Sequence, residues 1–239
     1  EDGEDMITVN QVYEAMQAIA PLELAEHWDN PGLLVDCGGQ MHRVLTALDI
    51  TPEVVAEAAA GMLAGVEAPR VLDLCAGTGC LGLGVKRFCP AAQVTSLEKS
   101  PAAYRYLEQN AQLSPVLTIT PVQGDLFTYW QTLPDGQLDL IVSNPPYVPQ
   151  SDRAAMHPNV RDHEPGLALF VPDDDAIRFY RAIARAGRQM LTPGGRLWFE
   201  IYERAAAEIV RMLGAEGYTD TEVREDLFGK PRMVCTRLK

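Results

Sequence analysis

The residue types best suited to chemistry are Asn144-Pro145-Pro146-Tyr147. They follow an apolar run, Leu138 to Ser143, and lie downstream of a glycine-rich turn, Asp73-Leu74-Cys75-Ala76-Gly77-Thr78-Gly79-Cys80. An amide or aromatic-amine nitrogen is a poor nucleophile because its lone pair is delocalised, so a catalyst has to hold both N–H groups and aim the lone pair. Asn144 offers a side-chain carbonyl as one acceptor. Pro145, on a chain of fixed φ, offers a rigid backbone carbonyl as the second. Tyr147 offers a ring on which a planar amide or base can lie. The rate gain would come from holding attacking nitrogen, methyl carbon and sulfonium leaving group in line. The proton can leave after the attack, so no general base is obligatory. Asn-Pro is also a common turn starter, but this turn ends a buried-strand pattern, where open α/β sheets bind ligands. The tetrapeptide Asn144, Pro145, Pro146 and Tyr147 is therefore the candidate catalytic turn, and it points to methyl transfer onto a planar nitrogen.

The glycine turn carries a cofactor argument with an ambiguity. Gly77-Thr78-Gly79-Cys80-Leu81-Gly82 satisfies G-x-G-x-x-G, and Glu98 follows at the spacing a dinucleotide fold uses for a ribose hydroxyl pair. NAD and S-adenosylmethionine both need close backbone approach at such a turn and an acid for the ribose. The second half of the chain separates them. Gly124-Asp125-Leu126 supplies an acid and an apolar residue for an adenine edge and face, and Asn144 to Tyr147 has no evident use in a nicotinamide enzyme.

These residues need a scaffold, and from Arg70 onward short apolar runs alternate with helical stretches, the pattern of βα units around a mostly parallel sheet. Strands are expected near Arg70 to Leu74, Gln93 to Leu97, Leu117 to Val122, Leu138 to Ser143, Gly195 to Ile201, Thr219 to Arg224 and Met233 to Arg237. Pro101 suits the first turn of a helix over Ala102 to Gln112. Asp173 to Asp175 put negative charge ahead of a helix over Ala176 to Met190, and a third, Arg204 to Glu216, stops before Gly217. Only Gly229-Lys230-Pro231 separates the last two strands, so they should form an antiparallel hairpin. The expected fold is α/β and Rossmann-like, with seven strands.

The formal charge of −13 is uneven: residues 1 to 60 hold 12 acids against one base, Arg43, whereas 21 acids and 19 bases follow. An acidic segment repels phosphate backbones and the remainder is near balance, so charge disfavours nucleic acid as a partner, though weakly. No apolar run is long enough for a membrane span. The acidic start lacks a basic stretch followed by an apolar one, which argues against a secretory signal. Five cysteines without paired spacing suit reduced thiols, and a cytoplasmic location is expected.

Residues 66 to 239 resemble the class I methyltransferase domain of the release factor glutamine methyltransferases, the HemK/PrmC family. The likeness rests on the glycine turn, Gly124-Asp125-Leu126-Phe127, Asn144-Pro145-Pro146-Tyr147, the segment Val160 to Phe170 and the closing Glu222-Val223-Arg224-Glu225-Asp226-Leu227. The resemblance implies S-adenosylmethionine as cofactor. Asp73, Gly77, Thr78, Gly79 and Glu98 would hold its methionine and ribose parts, Asp125 and Leu126 its adenine, and Asn144 to Tyr147 the glutamine amide, with Asn144 also in contact with the cofactor. A release factor is the partner it implies. Two departures stand out: Cys75 replaces a glycine usual in the family's turn, and Glu98 stands where aspartate is common. The helical bundle that normally precedes this domain is not recognisable.

Residues 6 to 60 instead resemble the opening of the dinuclear-metal proteins labelled GTP cyclohydrolase I type 2, through Leu24 to Val35 and Val44 to Val55. The likeness stops near Ala60, and the histidine pair which that family shows soon afterwards has no match among His27, His42, His157 and His163. No metal site is therefore expected. The expected organisation is an acidic, partial α/β appendage over 1 to 60 and a methyltransferase domain over 61 to 239, with a seam at Ala58 to Gly65. Gly38-Gly39-Gln40 spells the tripeptide that the methyltransferase family modifies, but a glycine-rich turn needs such residues anyway.

Two further features have alternatives. Arg178, Arg181, Arg185 and Arg188 fall at helical spacing, either steering a nucleic acid or simply forming a solvated basic face. The connection Pro149 to Pro172 is long enough to form a lid over the target amide. The expected activity is methylation of a protein glutamine amide. Methylation of an exocyclic base amine in RNA or DNA is the alternative enzyme, and a non-catalytic adaptor is the alternative outside catalysis.

Overall fold

Successive side chains of a strand point to opposite faces, so the apolar runs supply both faces of one sheet. The computed structural model describes residues 7–8, 40–41, 61, 63, 65–113, 115–156, 161, 164–225 and 229–239. Seven strands make the sheet: β1 (Arg70–Leu74), β2 (Gln93–Glu98), β3 (Thr120–Gln123), β4 (Leu138–Ser143), β5 (Leu191–Glu200), β6 (Tyr218–Glu225) and β7 (Pro231–Leu238), in the order β6-β7-β5-β4-β1-β2-β3. The pairs from β5 to β3 are parallel, and β7 runs antiparallel to both its neighbours. The seven-stranded α/β fold with its terminal hairpin is as the sequence pattern predicts.

Both faces are covered, which is why central strands read as continuous apolar runs. Leu72, Leu74, Ile141, Leu197, Phe199 and Val234 face one cluster with α3 (Arg178–Met190) and α4 (Ala206–Ala215), which contribute Tyr180, Ile183, Ile209 and Leu213. Val71, Leu140, Val142, Trp198 and Cys235 face the other, with Leu81 and Val85 of α1 (Cys80–Phe88) and Leu107 of α2 (Pro101–Gln112). Ser100 caps α2 by accepting from the Ala103 amide, with Pro101 in the first turn.

Several boundaries differ from the expected ones for identifiable reasons. β3 begins at Thr120, opposite Thr95, rather than at Leu117: Ile119 is buried, but burial is not pairing. β5 begins at Leu191, four residues early, and carries Pro193-Gly194-Gly195 as a bulge, since the register jumps from Leu138↔Leu191 to Leu140↔Arg196. A Cβ on Gly195 would lie 2.9 Å from the Thr192 carbonyl and 3.1 Å from that of Leu138, so only glycine fits there. Asp173–Asp175 form a separate 3-10 turn, so α3 starts at Arg178. Glu203–Ala205 do the same ahead of α4.

The chain divides into two compact units, Glu1–Ile50 and Thr51–Lys239. In the first, Ile7 pairs antiparallel with Met41 and Thr8 with Gln40. The matching stretches Leu24 to Val35 and Val44 to Val55 and all four histidines lie outside the described residues. Among the described residues no helix is long and apolar enough to cross a membrane, and no cluster of metal-ligating side chains occurs.

Candidate active site

Beyond Leu74 the chain reverses through three residues of positive φ: Cys75 (59°), Gly77 (57°) and Gly79 (85°). The turn is tied down by Ala76 N donating to the Leu97 carbonyl (3.0 Å) and Gly79 N to that of Ala76 (2.8 Å). Its glycines serve different ends. A Cβ on Gly79 would meet Leu107 Cδ1 at 2.5 Å, and one on Gly82 would meet Ser96 Oγ at 2.4 Å and Asp73 Oδ2 at 2.8 Å, so these two let helix and sheet close together. A Cβ on Gly77 would meet nothing within 4 Å; its backbone faces open space.

The acids gather around this turn. Glu98, at the end of β2, accepts from Gly77 N through Oε2 (2.8 Å) and from Ser100 N through Oε1 (2.6 Å). Gly124 N donates to the Glu98 carbonyl (3.0 Å), which sets Asp125 and Leu126 beside it. Asp125 caps the helical turn Leu126–Tyr129 by accepting from Phe127 N (3.0 Å), and its other oxygen lies 2.8 Å from Lys99 Nζ. Partial burial raises the Asp125 pKa, but the Lys99 bond, the Phe127 amide and the charges of Lys99 and Arg178 outweigh this and hold it below its ordinary value. Asp73 differs: it is buried, and Oδ2 accepts from Gly82 N and Ser96 Oγ, both at 3.0 Å. Burial, opposed by those two bonds, pushes its pKa up to about 7. Thr78 is exposed at the rim, its carbonyl taken by Asn110 Nδ2 (2.8 Å).

The candidate catalytic turn, Asn144 to Tyr147, lies beside the glycine turn because β4 pairs with β1, Ser143 opposite Leu74, and Ser143 Oγ donates to the Leu74 carbonyl at 2.6 Å. Asn144 therefore emerges next to Cys75, exposed and with its side chain bonded to no described residue. Pro145 and Pro146 are buried behind it. Tyr147 is anchored: its hydroxyl donates to Glu200 Oε1 (3.0 Å) and its ring stacks on that of Tyr202, centroids 6.1 Å apart and planes at 15°. Glu200 and Tyr202 were not legible as site residues, since an apolar run ending in an acid marks only a strand end.

The arginines of α3 have partners. Arg181 pairs with Asp175 (2.7 Å), and Arg185 and Arg188 share Glu216 (2.8 and 3.4 Å). Arg178 lies over the rings of Phe127 and Phe179, at 5.3 and 5.6 Å. Arg178, Arg181 and Arg185, with Phe127 and Trp130, line a trough of about 360 Å³ to which Asn144 to Tyr147 contribute nothing. The segment Pro149 to Pro172 is tied at its base, where Val148–Pro149 pair with Phe170–Val171 and Ser151 N donates to Asp173 Oδ1 (2.8 Å); His157 to Val160 and Asp162-His163 fall outside the described residues.

Sheet order and glycine turn together define the class I methyltransferase fold. Solved structures share it: a predicted O-methyltransferase from Agrobacterium tumefaciens superposes with TM-score 0.55 at 21% identity, covering 77% of this chain and 80% of that one. A precorrin-6y C5,15-methyltransferase from Geobacter metallireducens gives 0.54 at 16% identity, covering 80% and 89%.

The particular likeness comes from sequence. The chain is 39% identical over 169 residues to the release factor glutamine methyltransferase of Bacteroides thetaiotaomicron, covering 70% of this chain and 60% of that one. It is 41% identical over 172 residues to that of Deinococcus radiodurans, covering 72% and 59%. The chain thus spans about 60% of the length of these curated relatives. The family model Methyltransferase small domain matches residues 47–160, and Duf34/NIF3 (NGG1p interacting factor 3) matches 7–64. Both likenesses drawn from the motifs are borne out, and the two models overlap across the seam.

Proposed function

We propose that this protein transfers the methyl group of S-adenosylmethionine to the side-chain amide nitrogen of a protein glutamine, in the Gly-Gly-Gln motif of a peptide chain release factor, in the cytoplasm. Residues 61 to 239 are its catalytic domain and residues 1 to 60 a partial appendage. The observation that carries the reading is Asn144, an exposed and uncommitted amide at the carboxyl end of β4, one strand away from the glycine turn. The likeness to release factor glutamine methyltransferases supports the choice of acceptor.

The residues present fit the cofactor. Gly77 leaves open space where a side chain would stand, the Glu98 carboxylate borders it, and Asp125 and Leu126 lie across the Gly124–Glu98 bond. When bound there, the cofactor supplies an electrophilic methyl group on a sulfonium. Glu98 would accept from the ribose hydroxyls with lone pairs not spent on the Gly77 and Ser100 amides, and Asp125 from the adenine amine. Asn144 Oδ1 and the Pro145 carbonyl would accept the two N–H groups of the glutamine amide, which turns the nitrogen lone pair toward the methyl donor. The amide proton leaves to solvent after attack. The pairing of Arg181, Arg185 and Arg188 with carboxylates weakens the alternative of a base-methylating enzyme, which needs free cations for phosphates.

Incubation of this protein with labelled S-adenosylmethionine and a release factor tests the reading. Mass spectrometry should find one added methyl group on the motif glutamine. Transfer to RNA or DNA but not to the release factor would overturn it.

A further inference from the structure

Tyr147 is held from two sides by residues more than fifty positions away, and this bears on the acceptor site. The end of β5 is fixed by Tyr180, fully buried in α3, whose hydroxyl donates to the Glu200 carbonyl at 3.0 Å. From that fixed end the Glu200 carboxylate takes the Tyr147 hydroxyl, and the Tyr202 ring covers one face of the Tyr147 ring. Tyr202 is itself clasped: its hydroxyl donates to Asp152, which follows the catalytic turn, and Arg204 lies 3.6 Å from the same carboxylate. Burial, together with the bond to Asp152 and its charge, pushes the Tyr202 hydroxyl up to about 12, so the donor keeps its proton at neutral pH.

A ring bonded at its tip and covered on one face cannot change rotamer without losing both interactions. We propose that Tyr202 is a positioning residue for the acceptor site, which with Glu200 and Asp152 holds the Tyr147 ring in one orientation close to Asn144. The inference rests on the amide-methylation reading and deepens it. The Tyr202–Asp152 bond also ties the Tyr147 ring, through its stack on Tyr202, to the segment after Pro149.

The test uses the full chain, a release factor and S-adenosylmethionine. Steady-state kinetics are measured for Tyr202→Ala, Tyr202→Phe and Tyr202→Leu, with titration of S-adenosylhomocysteine as a readout of the cofactor site. Loss of an aromatic pair is worth about 0.5–1.5 kcal/mol, so Tyr202→Ala should raise KM for the release factor by up to about 10-fold. The S-adenosylhomocysteine affinity should stay at the parent value. Tyr202→Phe, which keeps the stack, should recover most of the KM, and Tyr202→Leu, which keeps volume without a ring, should not. An unchanged KM in Tyr202→Ala overturns the inference. Equal KM values for the Phe and Leu variants overturn it too, and that comparison decides should the alanine variant fail to fold. If the parent protein transfers no methyl group to the release factor, the amide reading fails and the inference falls with it; a working parent with indifferent variants sinks the inference alone.

Discussion

Cys75 has φ 59° at the head of the glycine turn, a conformation that costs an L-residue roughly 1–2 kcal/mol and glycine nothing. That explains why the resembling family usually has glycine there. The thiol is half-buried, and burial together with Glu98 and Asp73 pushes its pKa well up, so it stays protonated. Cys75→Gly is expected to be neutral or stabilising within about 1 kcal/mol, since strain relief is offset by unfolded-state entropy. Cys75→Val should lose about 2 kcal/mol or more, because a β-branched residue tolerates positive φ least. Urea midpoints of the two variants check this. Asp73 makes a pH prediction. Its folded pKa of about 7 lies above the ordinary 3.8, so the folded state holds the proton more tightly; stability from this group is full below pH 3.8 and is lost as pH rises through 7. Asp73→Asn removes that loss, and its urea midpoint should gain on the parent's between pH 5 and pH 8. At Asn144, replacement by alanine removes one preorganised partner of the acceptor, and turnover should fall on the order of 100-fold. S-adenosylhomocysteine affinity should change far less, and an unaltered rate would show that Asn144 does not orient the amide.

At the scale of elements, the turn works because α1 presses against β1 and β2. Gly82 sits 2.8 Å, measured from a hypothetical Cβ, from the carboxylate that accepts its own amide. Gly82→Ala must push α1 off the sheet, which should cost about 1–3 kcal/mol and weaken cofactor binding together with stability. Gly77→Ala meets no atom, and its stability loss should stay at the cost of positive φ, about 1–2 kcal/mol, while cofactor binding suffers through the filled space. Thermal melts and titration of S-adenosylhomocysteine on both variants separate packing from approach. Gly82→Ala with full stability would show that the helix has slack the geometry denies.

For the whole molecule, all proposed cofactor contacts lie beyond Arg70, and the second compact unit begins at Thr51. Leu63 is buried in the cluster with Val71 and Trp198, so a truncation has to begin ahead of it. A chain starting at Thr51 is expected to bind S-adenosylhomocysteine as the full chain does. The segment 6 to 60, read from its sequence as only a partial domain, should in isolation fail to offset the entropy of ordering and show no cooperative melt by circular dichroism. A sharp melt from that segment would establish it as an independent domain.

What the sequence by itself determined is what proximity along the chain encodes. Asn144 to Tyr147 are contiguous, Gly77 and Gly79 are two apart, and apolar runs of strand length fall between helical stretches, so turn, cofactor loop and seven strands were readable without coordinates. Even the departure at Cys75 was visible, though its positive φ was not. Apart from the terminal hairpin, the tertiary structure alone decided which strands are neighbours, because a buried run is apolar whatever lies beside it. It also decided that Ser143 registers with Leu74 and so brings Asn144 to the glycine turn. Tyr147 and Glu200 are 53 positions apart, and Tyr202 and Asp152 are 50. Hydrogen bonds over such separations leave no periodicity in a sequence, since each partner alone is only a surface-compatible polar residue, and they exist once β5 has been laid beside β4.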